Sequence, residues 1–142
     1  MRYFTPQEAN TFVPALRQAF DRIEGDRTAL VRVLRELDAL GQPIDLDEAI
    51  PEDVPATVRE RLTKAKGLVD QIRGVVGELQ AHGILVKRID GLVDFASRRG
   101  DRPVLLCWRK GEARIEHWHE FGAGFDARRP IDRLFEKPAL PN

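Results

Sequence analysis

Two long runs of apolar residues spaced alternately three and four apart constrain this chain more than any other feature. The first is Val13, Leu16, Phe20, Ile23, Leu30, Leu34 and Leu37, interrupted once by Arg27; the second is Val58, Leu62, Ala65, Val69, Ile72, Val76 and Leu79. That spacing places each set on one stripe of an α-helix, and a stripe of this length must be buried against something. The economical solution is for the two helices to cover each other as an antiparallel, coiled-coil-like hairpin over residues 5–82. Arg27, inside the first stripe, is read as snorkelling to the rim.

The ends of the helices are marked. In "YFTPQEAN", Thr5 serves as N-cap, Pro6 occupies the first helical position and Glu8 closes a capping box. Pro14 lacks an amide donor and disfavours helical geometry at Val13, so it either ends a short opening helix near Thr11 or begins the long one. Gly41, followed by Pro43, stops the first long helix. "GQPIDLDEAIPEDVP", residues 41–55, has no period and reads as a loop. Its acids Asp45, Asp47, Glu48, Glu52 and Asp53 lack the turn glycine of an EF-hand and read as solvated. A second helix spans about Pro55 to His82, with Gly83 at its left-handed C-cap.

After Gly83 the period changes to two. "ILVKRI" and "LVDFA" flank Asp90-Gly91, suited to a type I′ hairpin, and a polar turn, "SRRGDRP", leads to "VLLCWR". A two-residue turn at Lys110-Gly111 would then feed "EARIEHWH". The expected fold class is α+β: the helical hairpin packed on an antiparallel meander of about four strands over 84–120, with a loop and tail over 121–142, all in one domain.

Composition bounds the function. The 142 residues are 42% apolar, with 23 basic and 23 acidic side chains. No global field therefore draws the chain to nucleic acid or anionic lipid, and neither is expected as a partner. A single cysteine, no signal-like N-terminus and no apolar run long enough for a membrane span fit a cytoplasmic protein.

Chemistry concentrates in "RIEHWHEFGAGF". With a two-residue turn, Leu106 pairs with Ile115 and Val104 with His117, so His117 and His119 share the helix-facing side with Val104, Leu106 and Trp108. Arg109, Glu112, Arg114 and Glu116 then form a solvated face of cross-strand charge pairs. A one-residue slip would exchange the two faces. His117 and His119 could chelate one divalent ion (zinc, manganese or iron) with Glu120, Glu112 or Asp94 as a further ligand, and a carboxylate beside an open metal position could activate water. The bland reading is one histidine bonded to a backbone carbonyl and the other facing water. Cys107 in an apolar strand reads as packing rather than as a nucleophile. "GAGF" lacks the context of a phosphate loop. Arg98, Arg99, Arg128 and Arg129 read as loop charges offset by Asp101 and Asp132.

"YFTPQEAN", "GLVDF", "LLCWRKGE", "WHEFGAGF" and "RRPI", in that order, resemble the bacterial family called domain of unknown function 2203, from Tyr3 to Ile131. The resemblance implies no activity. It matches at Asp94, Trp108, Glu112, Trp118, His119 and Phe125, and departs from the family pattern at His117, where an aromatic residue is usual, and at Glu120, where aspartate is usual. That departure shifts the metal expectation toward His119 with Glu112 or Asp94. Two functional readings follow. One is a binding protein, associating as a dimer or with a protein partner through the hairpin, with Asp94, Trp108, Glu112, Trp118, Phe125 and Arg129 as its binding residues. The other is a metal-dependent hydrolase using His119, His117 and a carboxylate.

Overall fold

A computed structural model describes residues 1–136; the end of the expected tail, 137–142 with Pro138 and Pro141, lies outside the described residues. The fold is α+β, with helices α1 (Pro6–Asn10), α2 (Val13–Ala39) and α3 (Ala56–Ala81), and one antiparallel sheet. Its strands are β1 (Leu85–Arg88), β2 (Leu92–Arg99), β3 (Arg102–Arg109), β4 (His117–His119) and β5 (Arg129–Pro130), paired in chain order. The sheet thus has five strands rather than about four, because the expected loop after 121 returns to pair Arg129 with Trp118 and Pro130 with His117. Proline is tolerated there because β5 is an edge strand. Among the described residues, no helix is long and apolar enough to cross a membrane.

The chain divides into two compact units, residues 21–75 and residues 1–20 with 76 onward. In the first, Val33 and Leu37 of α2 share an apolar cluster with Val58, Leu62 and Ala65 of α3. Leu46, Ile50 and Val54 of the connecting segment pack against it, so that acidic loop also contributes apolar cover. Arg61 Nε donates to Glu36 at 2.9 Å, and Lys66 Nζ donates to the Glu48 carbonyl at 2.6 Å. The stripes are shifted slightly from expectation. Val33 and Val75 are buried, while Leu34, Val69, Ile72 and Val76 are half-buried and Arg27 is exposed. A helix turns 3.6 residues at a time, so a seam residue can move by one position without leaving the stripe.

In the second unit the capping box at Thr5 forms as expected. Phe4 donates its amide to Ala96 and accepts from the Ser97 hydroxyl, seating the N-terminus on β2. Phe4 packs edge-on against Phe95, and Phe20 of α2 lies 6.1 Å from Trp108. Gly83, at φ +86°, follows the end of α3 as a left-handed C-cap.

Two turns differ from expectation. Asp90 does not take positive φ, so the β1–β2 connection is not type I′; Gly91, at φ +116°, closes a turn on the Arg88 carbonyl, and the ladder is irregular just before that turn, between Val86 and Arg88. The β3–β4 connection is longer than two residues. Leu106 pairs with Trp118 rather than Ile115, a shift of three positions. The cause is side-chain competition for the backbone. Glu112 Oε1 accepts from the Arg109 amide at 2.7 Å, and the Asn10 carboxamide accepts from Ile115 N at 2.8 Å while donating to Ile115 O at 3.2 Å. The backbones of Glu112 and Ile115 are satisfied without a strand partner, and the odd shift exchanges the faces of β4.

Candidate functional site

Opposed residues of an antiparallel sheet point to the same face. One row runs Phe95, Leu106, Trp118 and Arg129; the next runs Asp94, Cys107, His117 and Pro130. His119, opposite Leu105, shares the second face. The histidines therefore sit with Asp94 and Cys107, not with Val104, Leu106 and Trp108 as expected from a two-residue turn.

Asp94, Cys107 and His119 are each at most 2% exposed, and their ligand-type atoms lie within 4.8 Å of one another. The ring of His119 is fixed at both nitrogens: Nδ1 is 2.9 Å from the Glu120 carbonyl oxygen and Nε2 is 3.2 Å from Asp94 Oδ1. A carbonyl can only accept, so Nδ1 carries a hydrogen. Burial, with the Asp94 carboxylate adding to it, pushes the Cys107 thiol up to about 12, against an opposing effect of Arg128. The sulfur is thus a protonated thiol at neutral pH and not a nucleophile.

A second set of groups borders this trio. Arg128 Nη1 donates to both oxygens of Glu112, at 2.9 and 3.1 Å, and its guanidinium stands 3.9 Å above the Phe125 ring. Arg109 reaches the same ring at 5.2 Å. Such a pair, with the arginine 14% and the glutamate 27% exposed, is partly shielded from water. His117 Nδ1 is buried without a hydrogen-bond partner and lies 4.0 Å from Glu112 Oε2. A groove lined by Asn10, Ile115, His117 and Pro130 opens beside it.

The residues singled out in the sequence separate into three places. Asp94 and His119 meet in the buried trio, with Cys107, which had been read as packing. Glu112, His117 and Phe125 are half-buried around Arg128, whose role is hidden in the sequence because "ARRP" looks like any basic loop. Glu120 offers its carbonyl to His119 while its carboxylate pairs with Arg102 at 3.1 Å. Trp108 and Trp118 lie on the opposite face, fully or almost fully buried, with indole N–H groups given to the Glu112 and Pro130 carbonyls. Of the expected binding residues, Asp94, Trp108 and Trp118 are thus buried, Glu112 and Phe125 are half-buried and Arg129 is exposed. Exposed Arg129 lies over Trp118 at 5.5 Å, and Arg99 reaches the same ring at 4.9 Å.

The family described as Uncharacterized conserved protein (DUF2203) matches residues 2–131. The chain belongs to that family. The match takes in both long helices, the buried trio and the Glu112–Arg128 pair, so all of these lie within the family region. Comparison with curated proteins and with solved structures returns no match.

Proposed function

We propose that this member of family 2203 is a non-catalytic binding domain of the cytoplasm, its two long helices forming a coiled-coil-like antiparallel hairpin that associates with a second copy of the chain. The half-exposed Glu112, His117 and Phe125 are the part of the sheet end that a ligand or partner can touch. One observation carries the reading: Asp94, His119 and Glu112, the groups best suited to acid–base chemistry, are engaged with neighbours inside the protein. Asp94 is held by His119, His119 by the Glu120 carbonyl, and Glu112 by Arg128. A general acid or base must reach a substrate proton, and a buried pair closed on itself does not. The hydrolase alternative, with His119, His117 and a carboxylate around a metal, additionally requires an open coordination position facing substrate, and His119 is almost fully buried.

Sedimentation equilibrium across a hundredfold range of protein concentration tests the proposal. A mass rising to twice that of the chain supports it; a monomer throughout removes the association. A hydrolytic activity that purifies with the protein and is lost in His119→Ala would replace it with the alternative.

A further inference from the structure

We propose that Asp94, Cys107 and His119 form a closed structural site for a zinc-class divalent cation, with His117 as the fourth ligand. The donor set is one carboxylate oxygen, one sulfur and imidazole nitrogens, the mixture that borderline-soft, tetrahedral ions select over magnesium or calcium. Three of the donors already converge within 4.8 Å on one sheet face, contributed by β2, β3 and β4. Rigid strands therefore set the site, rather than a loop.

Two further observations point to an ion. The first is the orientation of His119. Its Nδ1–H is donated to the Glu120 carbonyl, which turns Nε2 toward Asp94 and the Cys107 side of the cluster. Metal-ligating histidines are oriented in this way, with the non-ligating N–H given to a backbone carbonyl or carboxylate. The second is His117. It stands opposite Cys107 in the β3–β4 ladder, and its Nδ1 is buried with no hydrogen-bond partner. Buried polar atoms are seldom left in that condition, so an unmade bond at this position calls for a partner.

Charge balance is consistent. The thiol proton leaves as a divalent cation enters, so the cation's charge is met by the Cys107 thiolate and the Asp94 carboxylate. Glu112, already neutralised by Arg128, remains outside the donor set. Because the three convergent ligands are sealed from solvent, the ion is acquired on folding and stabilises the fold. This site differs from a His117, His119 and Glu120 chelate, because it uses Cys107 and leaves the Glu120 carboxylate on Arg102.

The test refolds the full-length chain with cobalt(II) as a spectroscopic stand-in for zinc, then with zinc alone. Expected are about one ion per chain, a thiolate-to-cobalt charge-transfer band, tetrahedral visible absorption, and a thermal midpoint that rises with zinc and falls with chelator. Cys107→Ala removes the charge-transfer band. His117→Ala, at a half-exposed position, keeps the fold and weakens zinc at least tenfold, whereas Glu120→Gln leaves binding unchanged. A midpoint indifferent to zinc and chelator, cobalt bound without the sulfur band, or loss of binding in Glu120→Gln would each overturn the proposal. If Cys107→Ala fails to fold, the cobalt spectrum of the parent and the His117→Ala titration still decide it.

Discussion

At the scale of single residues, two glycine substitutions should have opposite signs. Gly91 takes φ +116°, and a Cβ added there would lie 2.4 Å from the Lys110 Cβ, an atom close to the backbone and unable to swing away. Gly91→Ala should therefore destabilise by about 1–3 kcal/mol, read as a lower urea midpoint at unchanged slope. Gly74, inside α3, meets nothing within 4 Å. Gly74→Ala should stabilise by roughly 0.5–1 kcal/mol, because alanine has less backbone freedom to lose in forming a helix. A loss at Gly74 would mean that an unrecognised neighbour occupies that surface.

Elements are held by particular contacts, and two of these give further predictions. Leu62 is buried in the cluster shared by α2 and α3, while Ile72 is half-buried on the same helix. Leu62→Ala should cost about 2–5 kcal/mol and Ile72→Ala distinctly less, measured by chemical denaturation. Equal losses would mean that the seam runs where the bare periodicity puts it. Asp132 performs two tasks at the short helix Arg133–Phe135: it accepts from the Leu134 amide and grips Arg99 at 2.6 Å. Its hydrogen bond to Arg99 holds its carboxyl below the ordinary value of 3.8, and the Leu134 amide acts in the same direction. A depressed acid stabilises the fold above its unfolded pKa and loses that contribution as pH falls through the folded one. Asp132→Asn should melt below the parent at neutral pH, and the gap should close in strong acid.

For the whole molecule, the raised Cys107 thiol links stability to alkaline pH. The folded chain keeps this proton up to about 12, whereas an ordinary thiol releases it near 9.0. The contribution is fully present below the unfolded value and lost as pH rises through that window. Between neutral pH and about pH 10, the metal-free parent should lose stability more steeply than Cys107→Ala. Parallel pH profiles would show that the thiol is not shielded as described. A disulfide-exchange reagent should likewise label the native thiol far more slowly than the unfolded one.

What the sequence determined by itself was local and periodic. The Thr5–Glu8 capping box, the stops at Gly41 and Gly83, both long helices and the strands of the β2–β3 pair follow from nearest-neighbour chemistry and from spacing along the chain. So does the family, through ordered motifs from one end of the matched region to the other. The faces of β4 were not legible. They depend on whether Glu112 and Ile115 find partners in the ladder or elsewhere, and Ile115's partner is Asn10, 105 positions away. Strand register has a period of two, so this competition moved His117 and His119 onto the face of Asp94 and Cys107 and turned Trp118 to the buried face that Trp108 already occupied. The fifth strand was hidden for a related reason: "RRP" has no strand signature, and only pairing with β4 makes it one. Periodicity fixes which residues share an element, but convergence of Asp94, Cys107 and His119 from three strands is a property of register, which only tertiary contacts decide.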